Sequence, residues 1–177
     1  MTPGRGATGL PLTALARQMI CDPKFQGLWR VPVLVWASVG QGAEGAEVTL
    51  PGVATTRPRA GEPLVFEVRK APDAMNALLG ITLGRTSNND IVIDDISVSR
   101  FHAVLQQDEK TGGWTIGDAG SSNGTLLRDE RLKASVRVPL GEDEVFVLGS
   151  VPLRFLSPSA FFRYLDTMMT SPPAKAP

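Results

Sequence analysis

Residues 81–103 read ITLGRTSNNDIVIDDISVSRFHA, and this stretch decides the fold. Apolar residues alternate in short bursts, Ile81 with Leu83 and Ile91 with Ile93, and the bursts are separated by turn-forming residues such as Asn88-Asn89-Asp90. Such runs are too short for helices and suit strands joined by tight turns. Working outward, the same texture runs from residue 63 to 156. Strands are predicted at Leu64–Lys70, Gly80–Arg85, Ile91–Ile93, His102–Gln107, Trp114–Gly117, Thr125–Arg128, Ser135–Val138, Glu144–Leu148 and Pro152–Leu156. Thr111-Gly112-Gly113, Ser121-Ser122-Asn123-Gly124 and Leu140-Gly141-Glu142-Asp143 are read as turns between them. Many short strands at close spacing predict an all-β sandwich or barrel. Gly (18) and Pro (14) are both above average usage in the 177 residues, which favours turns over long helices.

Three segments are expected: an N-terminal extension at 1–60, the sandwich at 61–157, and a C-terminal helix and tail at 158–177. In the extension, Leu12, Leu15, Ala16, Met19 and Ile20 recur at helical spacing, so 11–21 reads as a short amphipathic helix with Pro11 in its first turn and Pro23 near its end. Val31 to Val39 reads as one strand, with Pro32 suggesting an edge position. Gly40 to Gly45 has linker composition. After the sandwich, Ser157 is placed to cap a helix with Pro158 in its first turn, and Phe161, Phe162, Leu165, Met168 and Met169 form its apolar stripe.

Composition removes several function classes. Lys plus Arg (18) equals Asp plus Glu (18), so the chain lacks the basic field that non-specific nucleic-acid binding requires. A single Cys, Cys21, and a single His, His102, exclude a disulfide framework and any two-His metal site within one chain. No apolar stretch approaches the roughly 20 residues of a membrane span. The first residues lack the charged-then-apolar layout of a secretory signal, so a cytoplasmic protein is expected, without membrane association, metal or cofactor. Gly4 to Gly9 matches GxGxxG but has no strand before it. Ser99 and His102 lack a nucleophile elbow, and Asp94-Asp95 reads as a pair of turn charges. An enzyme is not expected.

What remains is a set of residues at strand ends: Gly84-Arg85, then Ser97-Val98-Ser99-Arg100-Phe101-His102, then Gly120-Ser121-Ser122-Asn123-Gly124-Thr125. If the loops converge, they offer two guanidiniums, several hydroxyls and a carboxamide. That inventory suits a tetrahedral dianion next to peptide groups. Each residue alone has an ordinary explanation: Asn-Gly is a common hairpin dipeptide, and a strand-end Arg is commonly a solvated charge.

The ordered set Gly-Arg, Ser-x-x-His and Ser-Asn-Gly-Thr, with Asp143 to Gly149 behind it, resembles the forkhead-associated (FHA) domain over about residues 60 to 157. The resemblance implies an eleven-stranded β-sandwich whose apical loops bind phosphothreonine on partner proteins. Carried over by position, Arg85 would contact the phosphate or adjacent backbone. Ser99 would donate its hydroxyl and backbone N–H to phosphate, and Arg100 would add a second cation. Ser122 would bond the phosphate or line a methyl pocket, and Asn123 would hold the peptide main chain. Gly84, His102 and Gly124 would support the site, with His102 bracing the Ser99 loop. Ile96 stands where the family frequently has Pro, Phe101 where it frequently has Arg, and Ala119 where Leu is usual, a loss of core volume. The implied function is a phosphothreonine-dependent adaptor in Ser/Thr-kinase signalling, with a kinase or its substrate as partner. Thr55 or Thr56, once phosphorylated, would make the domain bind itself. The alternative is a phosphate-independent scaffold or oligomerisation protein that uses the C-terminal apolar stripe.

Overall fold

The computed structural model describes residues 9–21, 24, 29–37, 58, 62–71 and 80–170. The order along the chain is β1 (Leu10–Pro11), α1 (Leu12–Cys21), β2 (Val33–Trp36), β3 (Leu64–Glu67), β4 (Ile81–Gly84), β5 (Ile91–Val92) and β6 (Ala103–Gln107). Then come β7 (Trp114–Asp118), β8 (Thr125–Leu127), β9 (Glu130–Arg131), β10 (Arg137–Leu140), β11 (Asp143–Leu148), β12 (Val151–Leu156) and α2 (Pro158–Thr170). The strands form two sheets, a seven-stranded β1-β3-β2-β12-β11-β8-β9 and a five-stranded β10-β7-β6-β4-β5. The pairs are antiparallel except β4 with β5.

Period-2 alternation builds the layers. Leu34 and Trp36 of β2, Leu64 and Phe66 of β3, and Val151, Leu153 and Phe155 of β12 point into the sandwich. There they meet Leu83, Ala103, Leu105 and Ile116 of the five-stranded sheet. The intervening residues Val33, Val35, Val65 and Leu156 form the opposite face and are covered by Leu12 and Leu15 of α1 and Ala160, Phe161 and Leu165 of α2. The stripe of α2 is thus spent inside its own chain at Phe161 and Leu165, while Met168 is half exposed. Ser157 caps α2, its Oγ accepting from Ala160 N–H at 3.2 Å.

Strand β2 lies between β3 and β12 and is buried on both faces, not at an edge. This accounts for its unbroken apolar run, since a strand covered on both sides has no polar face to alternate. Pro32 does not interfere because it lies just before the paired residues, and its carbonyl accepts from Val68 N–H at 2.8 Å. Pro139 sits within β10, which is an edge strand, and β10 runs through Leu140 where the sequence suggested a turn. Pro11 belongs to β1 and not to the helix. Strands β1 and β9 escape sequence reading because each is two residues long and neither belongs to an apolar β-branched run such as the one that marks β5. The expected linker at 40–45, Pro23, Thr55 and Thr56 lie outside the described residues.

Candidate functional site

Topology gathers three loops at one end of the sandwich. Leu83 near the end of β4 pairs with Ala103 at the start of β6, and Ala103 also pairs with Asp118 at the end of β7. The segments after β4, before β6 and after β7 therefore share one edge. The segment after β7 crosses to the facing sheet, where Thr125 pairs with Leu148. Arg85, Ser99, Arg100, Ser122 and Asn123 all line one open cleft of about 430 Å³, together with Ile96, Ser97, Phe101, Ala119 and Gly120.

Each loop is pinned by buried polar groups. His102 has no exposed surface; its Nδ1 accepts from Ser99 N–H at 3.0 Å and its Nε2 lies 3.1 Å from Gly124 O. The Nδ1 acceptor role fixes the neutral tautomer with the proton on Nε2. Burial pushes the His102 pKa below its ordinary value, against the opposing pull of the Gly124 carbonyl and the Asp118 charge. One imidazole thus ties the Ser99 loop to the Asn123-Gly124 turn. The Ser99 N–H is consumed by this bond, so of the two donors expected from Ser99 only the hydroxyl remains for a ligand. The Ser99 Oγ in turn accepts from Ser122 N–H at 3.0 Å. Because the Ser99–His102 link runs through the backbone amide and not the hydroxyl, the pair is not a nucleophile with its base.

Asp118 organises the segment after β7. Its Oδ1 accepts from Gly120 N–H at 2.8 Å and Ser121 N–H at 2.9 Å, and its Oδ2 from the hydroxyls of Ser121 at 2.6 Å and Thr125 at 2.7 Å. Burial alone would raise its pKa, but the hydrogen bonds outweigh burial and hold the carboxyl below the usual range. Gly124 adopts φ of 84°, where a side chain is strained, and a methyl group there would meet the Arg131 guanidinium.

On the other side, Asn89 Nδ2 donates to Arg100 O at 2.7 Å and to Thr86 O at 2.9 Å, and Thr86 Oγ1 donates to Arg100 O at 2.9 Å. The Arg100 backbone is clamped while its side chain is left exposed at the cleft. A Cβ on Gly84 would collide with the same Arg100 carbonyl, so Gly84 is needed for close approach. Arg85 donates its N–H to Ser99 O at 3.0 Å and its Nε to Val98 O at 3.2 Å; no acceptor among the described residues engages its Nη atoms. Asn123 Nδ2 donates to Ser97 O at 2.7 Å, which leaves its amide oxygen and second N–H for another group. Asp90, fully buried, accepts from Thr82 N–H, the Thr82 hydroxyl, Ala71 N–H and Lys70 Nζ and holds β4 to the following loop. The hydrogen bonds outweigh burial here too, and the Asp90 pKa is lowered.

Sequence reading placed Asn89 and Asp90 in an ordinary turn and gave Asp118 no role. The signal was present in their burial, which composition does not report. Ala119 is half-buried at the cleft and not in the core, donating its N–H to His102 O at 2.9 Å. A larger cleft of about 520 Å³ lies at the opposite end, beside Trp114 and Phe155. Its lining holds one cation, Arg30, and one carboxylate, Glu142. That balance does not suit an anion. Among the described residues no cluster of three metal-ligating side chains occurs, and no helix is long and apolar enough to cross a membrane.

Residues 81–149 match the family model of the FHA domain. The chain carries an FHA domain. It is 40% identical over 80 residues to an FHA domain-containing protein of Arabidopsis thaliana, covering 44% of this chain and 20% of that protein. It is 41% identical over 61 residues to the transcriptional regulatory protein EmbR of Mycobacterium tuberculosis, covering 34% of this chain and 15% of EmbR. A solved structure of EmbR from the same organism, in complex with a low-affinity phosphopeptide, aligns with a TM-score of 0.38 at 31% identity, covering 44% of this chain and 19% of that one. The chain therefore spans a fifth or less of the length of these curated relatives. The matched FHA region begins with β4 and ends at Gly149 between β11 and β12, so it contains all three loops of the cleft.

Proposed function

We propose that this chain is a phosphothreonine-binding adaptor whose ligand is a phosphorylated segment of a partner protein. The observation that carries the reading is the convergence of Arg85, Ser99, Arg100, Ser122 and Asn123 on one cleft, with their backbones fixed by His102, Asp118 and Asn89. Arg85 and Arg100 bind the phosphate, the Ser99 hydroxyl donates to it, and Ser122 bonds it or lines the methyl pocket. Asn123 holds the peptide main chain through its remaining amide groups. Phosphorylation adds about −1.5 to −2 charge and three strong acceptors. Each charge-assisted hydrogen bond contributes about 1.5–3 kcal/mol, so an unmodified threonine is rejected. The preformed cleft limits the ordering cost of binding.

The activity on this reading is binding, and the single imidazole, buried with both ring nitrogens engaged, braces the cleft and is not a base available to a ligand. The partner on this reading is a substrate of a Ser/Thr kinase or the kinase itself, and a cytoplasmic location goes with it. The folded unit is the sandwich of residues 61–157 completed by β1 and β2 from 1–60, which are strands of its seven-stranded sheet, with α1 and α2 packed on the outer face of that sheet. Phosphorylation of Thr55 or Thr56 would supply a ligand from the same chain or a sister copy, competing with other partners. The relation to EmbR, whose structure holds a phosphopeptide, supports the choice of ligand class.

Fluorescence anisotropy against degenerate phosphothreonine, phosphoserine and unmodified peptide pools tests the reading. Saturable binding of the phosphothreonine pool alone is expected. Equal binding of the unmodified pool would favour the phosphate-independent scaffold.

A further inference from the structure

Two large apolar side chains stand at the mouth of the cleft where the charged and hydroxyl groups converge. Ile96 is 85% exposed, the most exposed large hydrophobic among the described residues, and Phe101 is 38% exposed. Both line the same cleft as Arg85 and Asn123. Neither has been left out by loose packing. Ile96 occupies the corner of a turn closed by Val98 N–H to Asp95 O at 3.0 Å. The following Ser97 donates both its N–H and its hydroxyl to Asp95 Oδ1, at 2.9 and 2.8 Å. Ser97 Oγ also accepts from Ser150 N–H at 3.0 Å, and Ser97 O accepts from Asn123 Nδ2. The turn is therefore fixed from three sides, and Val98, not Ile96, is the residue it sends into the core. Phe101 sits between the clamped carbonyl of Arg100 and the buried His102, so its backbone is equally constrained.

Rigid display matters because an exposed isoleucine on a mobile loop contributes little to selectivity. One held in place beside a charged subsite loses little entropy when a ligand covers it. Single exposed hydrophobics are ordinary, but two on constrained backbone lining a single polar cleft give that cleft an apolar component. Apolar area next to a strong anion subsite distinguishes peptides by what flanks the phosphate, while the phosphate itself supplies most of the attraction.

We infer that Ile96 and Phe101 form a specificity-determining apolar subsite that selects phosphothreonine peptides with a large aliphatic or aromatic side chain close to the phosphothreonine. This rests on the phosphothreonine reading of the cleft and names the partner segment more closely. The occupant is a phosphopeptide carrying both features, because Ile96 and Phe101 line the same cleft as Arg85 and Arg100.

The test is a phosphothreonine peptide library varied at every flanking position, followed by anisotropy on individual peptides. One position is expected to be enriched in Leu, Ile, Val, Met or Phe. The best peptide should bind about tenfold more tightly than its alanine counterpart, a ratio that partial burial of one such side chain supplies. In Ile96→Asn and, separately, Phe101→Ser, that ratio should fall to about threefold or less. The ratio is measured within one protein, so a modest loss of folded fraction does not mimic the effect. Phosphothreonine binding with no apolar enrichment, or a ratio unchanged in both variants, would overturn the subsite and leave the phosphothreonine reading standing. Failure of every phosphothreonine peptide to bind the folded chain would overturn both.

Discussion

Replacing His102 with Leu isolates the contribution of the imidazole that joins the two sides of the cleft. The side-chain volumes are similar, so little cavity opens and the cost comes from hydrogen bonding. Ser99 N–H loses its acceptor outright, about 1–3 kcal/mol for an orphaned donor in a partly buried site. Gly124 O retains Gly149 N–H at 3.0 Å as a second partner, so the loss there is about 0.5–1.5 kcal/mol. The total is about 1.5–4.5 kcal/mol, which at roughly 3 °C per kcal/mol for a chain of this size lowers Tm by about 5–13 °C. Phosphothreonine-peptide affinity should fall at the same time, because Ser99 and the Asn123-Gly124 turn lose their common anchor. His102→Gln should recover part of both losses, since a carboxamide can also accept from one group and donate to the other. Thermal unfolding and anisotropy on the three proteins are the measurements. A His102→Leu protein that melts within about 2 °C of wild type and binds peptide equally well would refute the bracing role.

The remaining expectations concern neighbouring groups. Asp118→Ala orphans the fully buried Thr125 hydroxyl along with Ser121 and two loop amides, and should cost about 2–4 kcal/mol in denaturant unfolding. Gly124→Ala forces a side chain into the left-handed region against Arg131 and should destabilise by about 1–2 kcal/mol or more, read as a lower Tm. Arg85→Ala removes an exposed guanidinium and should leave Tm within about 2 °C while weakening phosphopeptide binding by roughly tenfold to a hundredfold. Acidification should weaken the fold in two windows. The His102 pKa lies below its ordinary 6.5, so the unfolded chain takes up the proton first and stability declines as pH falls below about 6.5. That decline has a limiting slope of about 1.4 kcal/mol per pH unit. Asp90 and Asp118 lie below the ordinary 3.8, so their contribution is intact above that value and is lost on further acidification. Denaturant unfolding at a series of pH values would show both declines.

Much of this architecture is legible in residue order because a sheet face has a period of two. The strands from residue 64 onward show that alternation, and the turn residues between them mark the loops that later converge. The N-terminal strand was harder to place: Val33 to Trp36 is apolar on both faces, and Pro32 pointed to an edge until the register put it outside the ladder. The five expected site residues are named by the family resemblance that their order and spacing carry. Their supports are not, because Asp118, Asn89 and Asp90 act through burial and hydrogen bonds that arise only when distant segments meet. The Ser99 amide is a similar case. Its partner, His102, is three residues away, and only the geometry shows that the amide is already committed to the imidazole. Ala119 carries the same lesson, since an apolar residue at the end of a strand is at a cleft or in a core according to which way the chain turns next.

The central claim is that this one cleft receives a phosphorylated threonine. A titration of isotopically labelled protein with a phosphothreonine peptide pool, followed through the backbone amide resonances and set against the unmodified pool, tests it most directly. The account predicts saturable shifts concentrated at Arg85, Ser99, Arg100, Ser122 and Asn123 and absent with the unmodified pool. Shifts centred on the opposite cleft around Trp114, or identical shifts with both pools, would contradict it.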